Sequence, residues 1–173
     1  MAKLVCHGQK YTKGAIAKIE RHNERQNEHY GNQDIDLERS HLNYRLMECA
    51  EKNYFAAVMK LVDARNNPTG KKLRKDAVVL TEFIISSSNE FFDTLSPERQ
   101  KEYFQSSMKY LETLFGKKNT IYAVVHNDVK YSIVLIVYGV YRVREKLKIG
   151  TTYTNRKKNV YEVKWNGIGK TSK

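Results

Sequence analysis

Two pairs of residues in this 173-residue chain have the types and spacing to do chemistry. In His22-Asn23-Glu24-Arg25 the imidazole and the guanidinium are three positions apart, which makes them neighbours if a helix carries both. A guanidinium beside an imidazole disfavours its protonation. The pair would then hold a neutral, nucleophilic nitrogen next to a cation able to receive a phosphate. A solvated helix surface accounts for the same residues. The second pair, His126-x-Asp128, offers two potential ligands for a divalent metal, but a catalytic site wants a third and no histidine follows.

Three other patterns are weaker. Lys71-Lys72-Leu73-Arg74-Lys75 precedes an apolar run and could track phosphates from a sheet edge, or be a solvated loop. Tyr44 and Tyr122 could stack on bases, although Tyr122 lies in an apolar segment that suits a core. Asp34-x-Asp36-x-Glu38 is excluded as a calcium loop, because Arg39 stands where glycine must turn and Arg45 where the bidentate glutamate belongs.

The elements that must position these residues follow from periodicity. Leu4 to Tyr11 reads as a strand, and Lys13-Gly14 as a turn into a helix from about Ala15 that can extend through the polar run Arg21 to His29. Gly31 to Arg39 reads as loop. Glu48 to Arg65 has helical spacing of apolar residues, and Asn66-Asn67-Pro68-Thr69-Gly70 ends it. Ala77 to Ile85 and Thr120 to His126 are nearly continuous apolar strands, and the second delivers His126 at its end. Between them Ser96-Pro97 caps a helix that runs to Gly116. Tyr131 to Val143 is a third apolar run. Alternation of this kind gives an α/β (α+β) layer structure, with helices on one face of a sheet of about four or five strands. Pattern alone leaves parallel and antiparallel arrangements open.

Composition bounds the partners. Lys plus Arg number 31 against 19 acidic residues, a net charge of +12. Residues 142–173 hold ten of the basic residues against only Glu145 and Glu162, so the excess is concentrated there. Such a balance favours polyanions, with nucleic acid ahead of membrane surfaces. Cys6 and Cys49 form no C-x-x-C pair, which argues against a disulfide framework or a zinc ribbon and for a reducing compartment. No stretch has the length of a signal sequence or a membrane span, so a cytoplasmic setting is expected. The expected organisation is one domain over 1–143, followed by a basic aperiodic tail over 144–173.

Several motifs in order carry a more specific reading. His22-Asn-Glu-Arg25, Asn32, Asp34-Ile35-Asp36, and Arg39-Ser40-His41-Leu42-Asn43-Tyr44 are followed by Arg74-Lys75-Asp76-Ala77-Val78, Ile84-Ile85-Ser86, Phe91-Phe92 and Tyr122-Ala123-Val124-Val125-His126-Asn127-Asp128. This series resembles the MobV-type relaxases, the Pre/Mob plasmid mobilisation and recombination proteins, over about three quarters of the chain. The resemblance implies a relaxase fold of the histidine-hydrophobe-histidine type, an antiparallel sheet with helices packed on it. It implies strand-specific nicking of plasmid DNA at an origin through a covalent histidine-DNA intermediate. His22 would be the nucleophile, and Arg25 and Arg74 would neutralise the phosphate. Tyr44, Asn43, Lys75, Arg74 and Phe115 would contact DNA, with Phe115 standing where the family has a second tyrosine. The resemblance also allows a homodimer.

The resemblance implies a divalent metal as well, manganese or magnesium, held by a His-x-Asp-Glu-x-x-Pro-His-x-His pattern. Here His126 and Asp128 remain as ligand candidates, while Val129, Ser132, Ile133 and Leu135 occupy the Glu, Pro and two His slots. Metal binding is therefore expected to be lost and the domain to be incomplete at its C-terminal end, which leaves a catalytically inactive DNA-binding remnant or autoregulator as the alternative to a nicking enzyme. Lys130-Tyr131-Ser132 can be encoded so that a shift of one base reads Asn-Thr-Pro, close to the family's approach to its His-x-His. A frameshift near codon 129, with truncation of the rest, is thus an expectation that the coding DNA can test.

Overall fold

The computed structural model describes residues 5–66, 72–130 and 133–140. Five strands, β1 (Val5–Thr12), β2 (Tyr44–Met47), β3 (Val78–Ser86), β4 (Thr120–His126) and β5 (Val134–Gly139), form one sheet in the order β1-β3-β5-β4-β2. Every pairing is antiparallel. The helices are α1 (Ile16–Asn23), α2 (Tyr54–Asn66), a single turn α3 (Asn89–Phe92) and α4 (Pro97–Phe115).

The expectation of helices on one face is corrected, because both faces are covered. On one face α1 and α2 bring Ile16, Tyr54, Val58 and Val62 against Leu80, Tyr122, Val124, Ile136 and Tyr138. On the other, α3 and α4 bring Phe92, Phe104, Met108 and Leu111 against Ile85, Ala123, Val125, Leu135 and Val137. The cause lies in the strands. All seven residues of β4 and five of the six in β5 are buried, and a strand apolar on both sides needs a cover on each. Phe104, fully buried in the second core, makes that cover expensive to lose. Phe104→Ala is expected to cost about 3 to 5 kcal/mol, read as a lower denaturant midpoint.

The ends of the long helices follow local rules. Ser96 Oγ accepts from the Arg99 amide with Pro97 in the first turn, and Gly116 closes α4 at φ 85°. Asn53 Oδ1 accepts from the Ala56 amide, so α2 starts later than the apolar spacing from Glu48 suggests. The third apolar run does complete the sheet, over Val134–Gly139 and at its centre, between β3 and β4. The expected tail over 144–173 lies outside the described residues.

One carboxylate sits inside this apolar frame. Glu82 on β3 accepts from Tyr11 at 3.2 Å and from Tyr138, and burial pushes its carboxyl above the ordinary range despite those two hydrogen bonds. A raised folded value means that stability is fully present below the unfolded carboxylate value and declines as pH rises through the folded one. Glu82→Gln, which removes the charge, is expected to flatten that decline, measured as urea midpoints between pH 4 and 8.

Candidate active site

Helix α1 ends at Asn23, short of the extended helix that the polar run allowed. Arg25 lies beyond it in the left-handed region, at φ 54°, a conformation uncommon for a residue with a side chain. The reason is what its side chain reaches. Nε and Nη2 each donate to Asp128 at 2.6 Å, one to each carboxylate oxygen, and Nη1 donates back to the His22 carbonyl at 2.9 Å. His22 and Arg25 are thus adjacent through a turn that folds back, rather than along a helix face.

Asp128 is the hub. Its side chain is fully buried and the Arg25 side chain 9% exposed. Oδ2 also accepts from Ser40 Oγ at 3.0 Å and Asn43 Nδ2 at 2.7 Å. Burial alone would raise this carboxyl, but the hydrogen bonds from Arg25 and Asn43 and the Arg25 charge overcome it and hold it at about 2. The backbone joins in: Asp36 N donates to Asp128 O at 2.8 Å, Lys130 N to Asp34 O at 2.9 Å, and Ile35 bridges Val129. The loop that follows α1 is in this way stitched to the loop that follows β4.

The His22 ring is half-buried, edge-on to Tyr30 with centroids 5.3 Å apart, and no hydrogen bond among the described residues engages its nitrogens. Burial lowers its pKa, and the charges of Arg25 and Lys18 lower it further against the opposing pull of Asp128. A neutral imidazole with a free lone pair results. Glu24, next to it, is turned the other way, accepting from Arg45 at 2.5 Å and from the Tyr54 hydroxyl at 3.1 Å, which ties the end of α1 to β2 and α2.

The other expected site residues are more scattered. Arg74 is largely exposed and pairs with Asp76 at 3.6 Å, and Lys75 is exposed beside it, so neither is tied to the Asp128 cluster. Tyr44 pairs with Val125 in the sheet and packs, half-buried, on the α4 side, not on the side of His126. Phe115 stacks on Phe83 at 5.1 Å in that same core. Asn43, expected on DNA, uses both ends of its amide internally, donating to Asp128 and accepting from the Asn127 amide at 2.7 Å. Ser40, Tyr30 and Lys18 escaped the sequence reading as site residues. The Arg39-to-Tyr44 run contained Ser40, but only the folded chain shows that it meets Asp128.

The metal expectation can be tested on the residues present. His126 is buried, and among the described residues neither ring nitrogen has a hydrogen-bond partner. Burial, with the Arg25 charge, depresses its pKa to about 3, so it is neutral. Asp128 is engaged rather than open: three donors reach Oδ2 and one reaches Oδ1, which lies 3.7 Å from His126 Nδ1. Among the described residues no three His, Cys, Asp or Glu side chains converge to hold an ion. The residues do not fit a divalent metal.

The fold and the placement of these side chains define a relaxase-type domain. The structure superposes on the MobM relaxase domain (MOBV; Mob_Pre) bound to plasmid pMV158 oriT DNA, in a Mn-bound crystal form, with a TM-score of 0.70 and 32% identity over 78% of this chain and 69% of that one. A second MobM complex, with 26 nucleotides of the same origin, gives a TM-score of 0.63 at 25% identity, covering 82% of this chain and 71% of that one. Among curated proteins, a plasmid recombination enzyme type 2 of Staphylococcus aureus is 36% identical over 128 residues, 74% of this chain and 30% of the relative. A plasmid recombination enzyme of Bacillus sp is 38% identical over 130 residues, 75% and 31%. The family profile of plasmid recombination enzymes, Mob_Pre, matches residues 1–164. The chain belongs to the Mob_Pre family of plasmid recombination enzymes. It spans about three tenths of the length of these curated relatives, and the family match continues past Asp128, where the expected pattern of histidines fails.

Proposed function

We propose that this domain binds one strand of a plasmid origin or recombination site and cuts it with His22 as nucleophile. One observation carries the reading: His22 presents an unengaged, neutral imidazole at a helix end whose backbone is pinned by the Arg25–Asp128 clamp. The lone pair attacks phosphorus and the P–O bond to the departing strand breaks. The ring loses its proton, the departing oxygen gains one, and the phosphoryl group stays on nitrogen as a phosphoramidate. Because the cleaved bond is exchanged for a reactive P–N bond and not lost to water, the strand can be rejoined. Arg25, neutralised by Asp128, positions His22, and exposed Lys18 adds positive charge that acts on its ring. Tyr44 and the exposed Arg74 and Lys75 are assigned to the flanking strand, as stacking and phosphate contacts. Plasmid DNA as partner implies a cytoplasmic setting. Among the described residues no helix is long and apolar enough to cross a membrane.

The test is incubation of the purified chain with supercoiled plasmid carrying its own origin, with deproteinised and untreated samples compared for open circles. Slow formation of open circles with a covalently attached protein end, absent in His22→Ala, supports the reading. Specific retention of the origin without any covalent end removes the cutting step and leaves recognition alone. Arg74→Ala and Lys75→Ala, both exposed, are each expected to weaken binding about equally on all sequences and to reduce its salt dependence by about one counterion apiece, read from titrations at several ionic strengths.

A further inference from the structure

The position of β5 in the sheet decides more about metal than the missing histidines do. His126 pairs directly with Val134, Val125 with Leu135 and Val124 with Ile136. Residues directly opposite in an antiparallel pair share a face, and successive residues alternate. Val134 and Ile136 therefore lie on the His126 face, where both pack with the α1 and α2 core. Ile133 and Leu135 lie on the other face and pack with α4. An ion shared by positions 126, 133 and 135 requires all three on one face, a strand setting that differs from this one by an odd number of residues. The setting here is held from both sides, since β5 is also paired with β3 from Ser86↔Val134 to Thr81↔Gly139. A shift of one residue would turn fully buried Leu135 and Val137 out of the α4 core and exchange them for Tyr138 and Ile136.

We infer that this chain takes no divalent metal at the relaxase site, and that the ligand-competent positions on its central strand are 134 and 136 rather than 133 and 135. His126 is left as a single neutral donor, facing valine where a coordination sphere would need imidazole. Adding histidines at 133 and 135 would place them among Val125, Phe104 and the rest of the α4 core, on the wrong side of the sheet. Histidines at 134 and 136 would stand beside His126 as a His-x-His pair on the neighbouring strand, three nitrogen donors on one surface.

The test is titration of Mn²⁺ into the purified chain, followed by the electron paramagnetic resonance signal of the free aqueous ion, which disappears on binding. The native chain should leave the signal undiminished. Val134→His/Ile136→His should take up one equivalent of Mn²⁺, lost again when His126→Ala is added, and Ile133→His/Leu135→His should take up none. Circular dichroism and melting of each variant establish that it is folded. Val134→His alone, at a half-buried position that tolerates change, provides a two-imidazole site to be probed with Ni²⁺ should the double variants not fold. Binding of Ni²⁺ that depends on His126 supports the assignment, and its absence in a folded variant overturns it. One equivalent of Mn²⁺ on the native chain, abolished by His126→Ala, overturns the inference outright. So does uptake by Ile133→His/Leu135→His. Binding of an origin oligonucleotide measured in EDTA is a separate readout, whose failure would count against the proposed function and leave this inference standing.

Discussion

Replacing Asp128 with alanine is expected to destabilise the domain by about 3 to 5 kcal/mol, the cost of leaving one partner of a buried ion pair uncompensated. The partner is Arg25, whose side chain is 9% exposed, and the amide of Asn43 and the hydroxyl of Ser40 would lose their acceptor with it. For a chain of this size the melting temperature should fall by on the order of 10 °C. The backbone at Arg25 should be freed too, since its left-handed conformation is held by the clamp. DNA binding and cutting are therefore expected to fall together, even at temperatures where the variant is still folded. Asp128→Asn keeps an acceptor of the same shape and isolates the charge. The folded carboxyl lies at about 2 against an ordinary 3.8, a depressed value, so its contribution is present above about pH 4 and disappears as pH falls through 2. That contribution is about 2 kcal/mol at 1.36 kcal/mol per pH unit. The stability gap between the native chain and Asp128→Asn should accordingly be constant from pH 5 to 8 and narrow steadily between 4 and 2. A gap that does not narrow in acid would show that the carboxylate charge is not what holds the cluster.

His22→Ala is expected to have the opposite profile. The half-buried ring makes no described hydrogen bond, so stability should change by less than about 1 kcal/mol. The covalent DNA adduct should disappear altogether, a fall of at least about a thousandfold in cutting. Origin binding should remain near the native level, because the flanking contacts are untouched. The pH profile of the native chain carries the same assignment. Burial and the Arg25 and Lys18 charges lower the His22 pKa below its ordinary 6.5, so the acid limb of the cutting rate should fall below that value. Lys18→Ala, on the solvent side of α1, should move the limb upward. A limb that stays in place in this variant, or an adduct that survives His22→Ala, would remove His22 from the role.

The fold was readable where apolar residues are patterned. β3 and β4 stood out as nearly continuous apolar runs and α4 by apolar residues at helical spacing, and Ser96-Pro97 and Gly116 mark α4's ends by backbone chemistry that is local. β2 was missed because Tyr44-Arg45-Leu46-Met47 is too short to show a period, and its pairing with β4 comes from 75 or more residues away along the chain. The covering of both faces was present in the continuous burial of β4 and β5, but apolar runs do not say how many layers meet them. At the site, the identities of His22, Arg25 and Asp128 were visible and their geometry was not. The three-residue spacing suggested a helix face, whereas Arg25 leaves the helix to reach a carboxylate 103 positions later. Asn43 illustrates the same limit: an amide beside a tyrosine suits a DNA contact, and only the folded chain shows both its ends taken.

The strand order has a consequence for how the chain is made. β1 pairs with β3, and β2 with β4, as two separate ribbons, and β5 alone joins them. The last described strand to be synthesised is thus the central one. Until residues 134–139 have emerged from the ribosome, two incomplete ribbons wait with their inner edges open, and neither apolar core can close. Folding should come late and in one step, with nascent chains arrested before Val134 cut readily by protease and chains a few tens of residues longer resisting it. Such a sheet gains little from its early strands alone, so its assembly is slow for its size and dependent on long-range contacts.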